Sequence, residues 1–138
     1  MTFQGGLFGY VTGVTDVSQL IGKRFYPVRA PDNEHTPYAV YKFADRVDAN
    51  PLDGPAPYAK ARLLISVYCA DEEGRTAIAA YDLAWEVAEA LRQALTYFKG
   101  DMSGTAILGL LLERMDDADD PDLGIYEVQS EYSVIFTP

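Results

Sequence analysis

Few side chains in this chain have the types and spacing that covalent chemistry needs. His35 is the only histidine, set in the proline-flanked stretch PDNEHTP. A Ser-His-Asp or Cys-His arrangement would have to be built on it, yet no nucleophile-elbow sequence accompanies it. Cys69, the only cysteine, falls on the apolar side of a predicted strand, where a thiol is ordinarily inert. A single cysteine allows neither an intrachain disulfide nor a cysteine-cluster metal site, and it suits a reducing compartment. The expectation is an exposed loop histidine, an inert thiol and no catalytic residue.

The carboxylates are more numerous but no better arranged. Asp116 to Asp122 reads DDADDPD, five aspartates and a proline. A calcium loop read from Asp117 finds Asp119 at its third position, but Pro121 at the fifth, Asp122 at the sixth and Val128 at the twelfth. The required glycine and glutamate are missing. A solvated hairpin tip is expected, with a charged contact surface as the alternative. Glu127 and Glu131 alternate on one strand face, and nothing marks them as an acid–base pair. At the start of the chain, Gly5, Gly6, Gly9 and Gly13 lack both the GKS/T of a phosphate loop and a preceding strand. A frayed, loosely docked N-terminus is expected there. No metal or cofactor is expected.

The elements around these residues carry the clearer signal. Arg75 to Phe98 places Ala77, Ala80, Tyr81, Ala84, Val87, Ala88, Leu91, Leu95 and Phe98 at three- and four-residue spacing, which predicts one long helix with a single apolar stripe. Acidic residues 71 to 73 precede it, and Lys99 and Gly100 are expected to close it. A short helical piece through Leu20 and Ile21 is expected before it, ended by Gly22. Lys23 to Val28 predicts a short edge strand broken by Pro27. Pro37 to Val47 predicts a strand rich in aromatic and β-branched residues, followed by a proline-rich loop over residues 48 to 58. In Lys60 to Cys69, Leu63, Ile65, Val67 and Cys69 alternate with Arg62, Leu64, Ser66 and Tyr68, as in a central strand. Thr105 to Met115 and Gly124 to Phe136 complete the set as a final hairpin. The first of these is apolar on both sides, as if covered on both.

The expected fold is therefore α+β: one domain over residues 1 to 138, with a mainly antiparallel sheet of about five strands, one long helix packed on one face and a short N-terminal helix. One helix and a short N-terminal piece cannot cover both faces of such a sheet. Leu64, Tyr68, Ile125 and Ile135 leave the second face partly apolar, a candidate protein interface. The net charge of −10 is unevenly placed. Residues 1 to 62 hold seven basic and six acidic side chains, and residues 63 to 138 hold four and fifteen. The acidic half repels phosphates, so gripping DNA is not expected. With no apolar run of membrane-spanning length and no basic signal-peptide start, the chain reads as soluble and made in a cytoplasm.

The segments RFYPVRAP (Arg24 to Pro31), Pro37-Tyr38 opening PYAVYKF, LLISVYCAD (Leu63 to Asp71), AIAAYDLAWEVAEALRQAL (Ala77 to Leu95) and LGIYEVQSEYSVIF (Leu123 to Phe136) follow one another in this order. In that order and spacing the chain resembles the tail-completion, or tail-terminator, family of long-tailed bacteriophages. The resemblance implies a structural protein of the virion neck without catalytic residues. Its subunits would form a homo-hexameric ring that caps the tail-tube protein and meets a head-side connector or stopper protein, with DNA passing through unbound and no membrane involved. Under this reading, Pro51, the Leu52-Asp53 pair, Tyr58, Tyr68 and Ile125 are candidate interface residues. Asp116, Asp117, Asp119, Asp120, Glu127 and Glu131 are candidates to line the channel. The alternatives are a head-tail connector or stopper subunit, or a small-molecule-binding α+β domain.

Overall fold

Strict alternation over Ala59–Ala70 sets the middle of the sheet. Ala59, Ala61, Leu63, Ile65, Val67 and Cys69 are buried on one face, while the residues between them point to the other. The computed structural model describes residues 2 to 71, 74 to 118 and 124 to 138. Its elements, in chain order, are α1 (Phe3–Thr12), α2 (Thr15–Ile21), β1 (Phe25–Pro27), β2 (Tyr38–Asp48), β3 (Ala59–Ala70), α3 (Ala77–Leu95), β4 (Gly100–Met102), β5 (Thr105–Asp117) and β6 (Ile125–Phe136). The six strands form one sheet in the order β1-β2-β3-β6-β5-β4.

The sheet departs from the expected one at both edges. It has six strands, and it is mixed, because β1 pairs parallel to β2, with Phe25 opposite Ala39 and Pro27 opposite Tyr41. The ten-residue connection back to β2 turns through left-handed backbone at Val28 and Asn33. Arg24 Nε donates to the Pro37 carbonyl at 2.9 Å, and Arg75 donates to the Thr36 and Ala70 carbonyls, stitching this connection to the sheet. The added strand, β4, forms a hairpin with β5 across Ser103 and Gly104, both at positive φ. Such a two-residue turn matches the natural twist of the strands it joins.

The helices cover one face only. Helix α3 buries Ala80, Ala84, Val87, Ala88, Leu91 and Leu95 against β3 and β6, while Ala77 and Tyr81 are exposed. It begins later than expected, because the Thr76 side chain caps it by accepting from the Ala79 N–H. It also ends earlier: Tyr97 turns at φ 67 and donates its N–H to the Leu110 carbonyl, and Gly100 opens β4 instead of closing the helix.

The N-terminus is an ordered, docked helix, not a frayed one. Phe3, Leu7 and Val11 of α1 are buried, and the Phe3 ring lies 4.9 Å from those of Phe43 and Phe136. Tertiary packing outweighs the helix-weakening glycines. Gly6 has a packing reason, since a Cβ there would come within 2.4 Å of the Ser103 hydroxyl. Beneath the helices Tyr132 is fully buried, and burial pushes its phenol well above the usual tyrosine range.

Because Leu91 sits at the centre of this packing, Leu91→Asp buries an unpaired carboxylate and costs at least about 4 kcal/mol. Circular dichroism melting of the variant is expected to show an unfolded chain; a folded variant with near wild-type melting would place α3 elsewhere.

Candidate assembly surface

The face of the sheet opposite the helices has no covering layer among the described residues. Its side chains run in ribs across four strands, as antiparallel registry requires. Tyr38, Tyr68 and Glu127 form one rib. Val40, Ser66, Gln129 and Asp116 form the next, followed by Lys42, Leu64, Glu131 and Arg114, then by Ala44, Arg62, Ser133 and Leu111. Lys42 of β2 and Arg114 of β5 line a single depression of about 230 Å³, so this face is concave across all four long strands. Charges of both signs share it. Arg62 bridges Asp45 at 2.8 Å and Glu131 at 3.1 Å, and Gln129 donates to Glu127 at 3.0 Å.

Tyr68 and Ile125 lie together at one end of this face. The Tyr68 ring stacks on Tyr38 at 5.2 Å, and both rings line a groove of about 510 Å³ with Ile125 and the connection between β1 and β2. Tyr38 belongs to the site as fully as Tyr68, but sequence reasoning passed over it, although its place at the start of a strand is a usable signal. Burial raises the phenol pKa of both residues, and the nearby Glu127 carboxylate adds to the shift. Pro51, Leu52, Asp53 and Tyr58 are exposed at the opposite end of the strands, in the loop between Asp48 and Ala59. A twelve-residue strand separates the two groups by roughly 36 Å.

The acidic candidates divide between the two faces. Asp116, Glu127 and Glu131 stand on the open, concave face. Asp117 points to the helix side, where its carboxylate accepts from Tyr81 Oη at 2.9 Å and from Trp85 Nε1 at 2.8 Å, fastening the end of β5 to α3. Asp119 and Asp120 lie outside the described residues. His35 is exposed, Cys69 is buried with Arg75 donating to its sulfur, and among the described residues no three metal-ligating side chains converge.

A surface with stacked tyrosines and mixed charges is suited to protein contact. Comparison with known families gives a match to Tail completion protein gp17 over residues 6 to 137. The chain belongs to this family. It is accordingly a structural component of a phage-type virion tail. Among solved structures, it is similar in fold to a chain of the "Virion of native gene transfer agent (GTA) particle", with a TM-score of 0.79 and 18% identity over 98% of this chain and 94% of that one. Nothing among the curated proteins matches.

The raised phenol pKa values give a direct test of the tyrosine pair. The folded state holds Tyr38 and Tyr68 protonated above the ordinary value of 10.0. The stability this contributes is intact below pH 10 and is lost as pH rises through the folded values. An alkaline titration followed by tyrosinate absorbance is expected to show a late-ionising class that shrinks in Tyr68→Phe. An undiminished late class would mean that Tyr68 ionises at the ordinary value and is not shielded on this face.

Proposed function

We propose that this chain is the subunit of a sixfold ring that closes the head-proximal end of a tail tube and offers the joining surface to a head-side connector. The observation that carries this reading is the division of labour in the fold of a tail completion family member: three helices stabilise one face of the sheet, and the other face and both sheet edges are left for contacts. The concave face is the natural lining of the ring. Asp116, Glu127 and Glu131 would stand there among Lys42, Arg62 and Arg114, and such a mixed surface lets DNA pass without gripping it. Asp117 is spoken for by Tyr81 and Trp85, so it acts in the fold and not in the channel. The loop between β2 and β3 projects from one end of the strands with Leu52 fully exposed, in position to meet a neighbour or the tail tube.

The loop can be tested without touching the core. The Ala49 N–H donates to the Tyr58 carbonyl at 3.0 Å, so the two ends already meet. Replacing residues 50 to 57 with Asn-Gly is expected to change stability by less than about 1 kcal/mol while abolishing the joining of tails to heads. Melting of the purified variant and particle yield after complementation measure the two effects. Normal yield of joined particles would contradict the assignment of this loop. A knockout giving tails of uncontrolled length fits the ring reading, and one giving filled heads beside tails of normal length fits a connector instead.

A further inference from the structure

The two edges of the sheet are capped at opposite corners. On β2, strand β1 pairs as far as Tyr41, whose carbonyl accepts from the Val28 N–H, and Lys42 to Asp48 are left open. On β5, strand β4 pairs through Ile107 and Tyr97 donates to the Leu110 carbonyl, so Leu111 to Asp117 are left open. Seven residues are free on each edge. Within one sheet β2 and β5 run in opposite directions, since three antiparallel steps separate them. Rotation about an axis along the strands therefore brings β5 of one copy antiparallel to β2 of the next, a head-to-tail contact of the kind that closes rings.

The caps also select the register. With the strands level, β1 of one copy would occupy the place of residues 115 to 117 of its neighbour, and Lys42 would face Arg114, both sharing the rib of Leu64 and Glu131. A slide of two residues along the strand preserves which side chains face which side. It moves Met115 and Asp116 past β1 at one corner, so that pairing stops at Asp116 with only Asp117 level with Pro27, and carries β4 beyond the end of β2 at the other. Lys42 then stands opposite Asp116, and Val47, 65% exposed, stands opposite Leu111, 45% exposed. Each strand carries one bulge between these two pairs, at Asp45 and Arg46 on β2 and at Glu113 on β5. The residues from Lys42 to Val47 and from Leu111 to Asp116 are thus matched in length as well as in charge and polarity. Bulges are a common guard against indiscriminate edge pairing, and here they restrict the partner to a strand carrying a bulge in the same place.

We propose that copies of this chain join through their sheet edges, with Leu111 to Asp116 of one copy pairing antiparallel with Lys42 to Val47 of the next, Lys42 against Asp116 and Val47 against Leu111. This rests on the ring reading and names its subunit contact. Four long strands from each of six copies would close a sheet of about 24 strands, large enough to keep an aqueous channel. The helices lie outside and the concave face within.

Cysteine cross-linking tests the contact, because opposed residues of an antiparallel pair lie within disulfide range. The double variant Val47→Cys with Leu111→Cys, oxidised at high protein concentration, is expected to give a ladder of linked copies on denaturing gels. Each single variant is expected to stay unlinked, since a head-to-tail contact never places two identical residues together. Negative-stain imaging and mass measurement of the same samples separate the failures. Rings without cross-links in the double variant, or dimers formed by either single variant, would overturn the pairing and leave the ring reading standing. Monomers without cross-links would overturn both. Lys42→Asp is expected to weaken oligomerisation at least tenfold and Asp116→Lys to restore it in the double variant; no restoration would overturn the register.

Discussion

A twisted sheet must bury at least one apolar face, and this chain carries helices enough for one, leaving the other face part apolar and part charged. The rest of the structure follows from that constraint. The α3 stripe from Ala80 to Leu95 covers β3 and β6, and α1 completes the layer with Phe3 against Phe43 and Phe136. Burial of this one face supplies the driving force for folding. The opposite face keeps Leu64, Tyr68, Ile125 and Ile135 only partly covered, beside charged neighbours that hold it in water while the chain is alone.

The charged residues of this face are arranged for recognition more than for strength. Arg62 reaches both Asp45 and Glu131; Asp45 is exposed and Glu131 is mostly covered, but Arg62 itself is about half exposed, and a pair as open as Arg62–Asp45 contributes at most about 1 kcal/mol. Their value lies in which surfaces they admit. Fixed ribs, acidic toward Glu127 and Asp116 and basic toward Lys42 and Arg62, would give a neighbour in the proposed ring a defined register, and the bulges on β2 and β5 would narrow the choice further. The Asp117 carboxylate shows the same economy on the other side, since its two hydrogen bonds to Tyr81 and Trp85 tie the last turn of the sheet to the first turns of α3.

Much of this was legible in the residues. The stripe of α3, the central place of β3 and the alternation of β6 all follow from period alone, because burial on one side writes a pattern into the chain. The parallel pairing of β1 was not, since three residues ending in proline carry no sign of direction. Strand β4 was missed because its signal is the Ser103-Gly104 turn and not an apolar run. Helix α1 was misjudged because its glycines weaken it locally, and only Ser103, almost a hundred residues away, explains why Gly6 must be small. The candidate surface was legible as a set of leftover apolar positions. Its shape was not: the placing of Tyr38 beside Tyr68 depends on a strand register that no single segment encodes, and which of Asp116 and Asp117 faces the helices depends on the bulge at Glu113.

If folding uses the helical face and assembly the sheet, hydrogen exchange on the free chain and on assembled tails separates the two. Exchange is expected to slow on assembly at residues 42 to 47 and 111 to 116, whose outward backbone groups gain partners, with the amides of α3 unchanged. Slowed exchange confined to the helices, with both sheet edges exchanging as in the free chain, would contradict it.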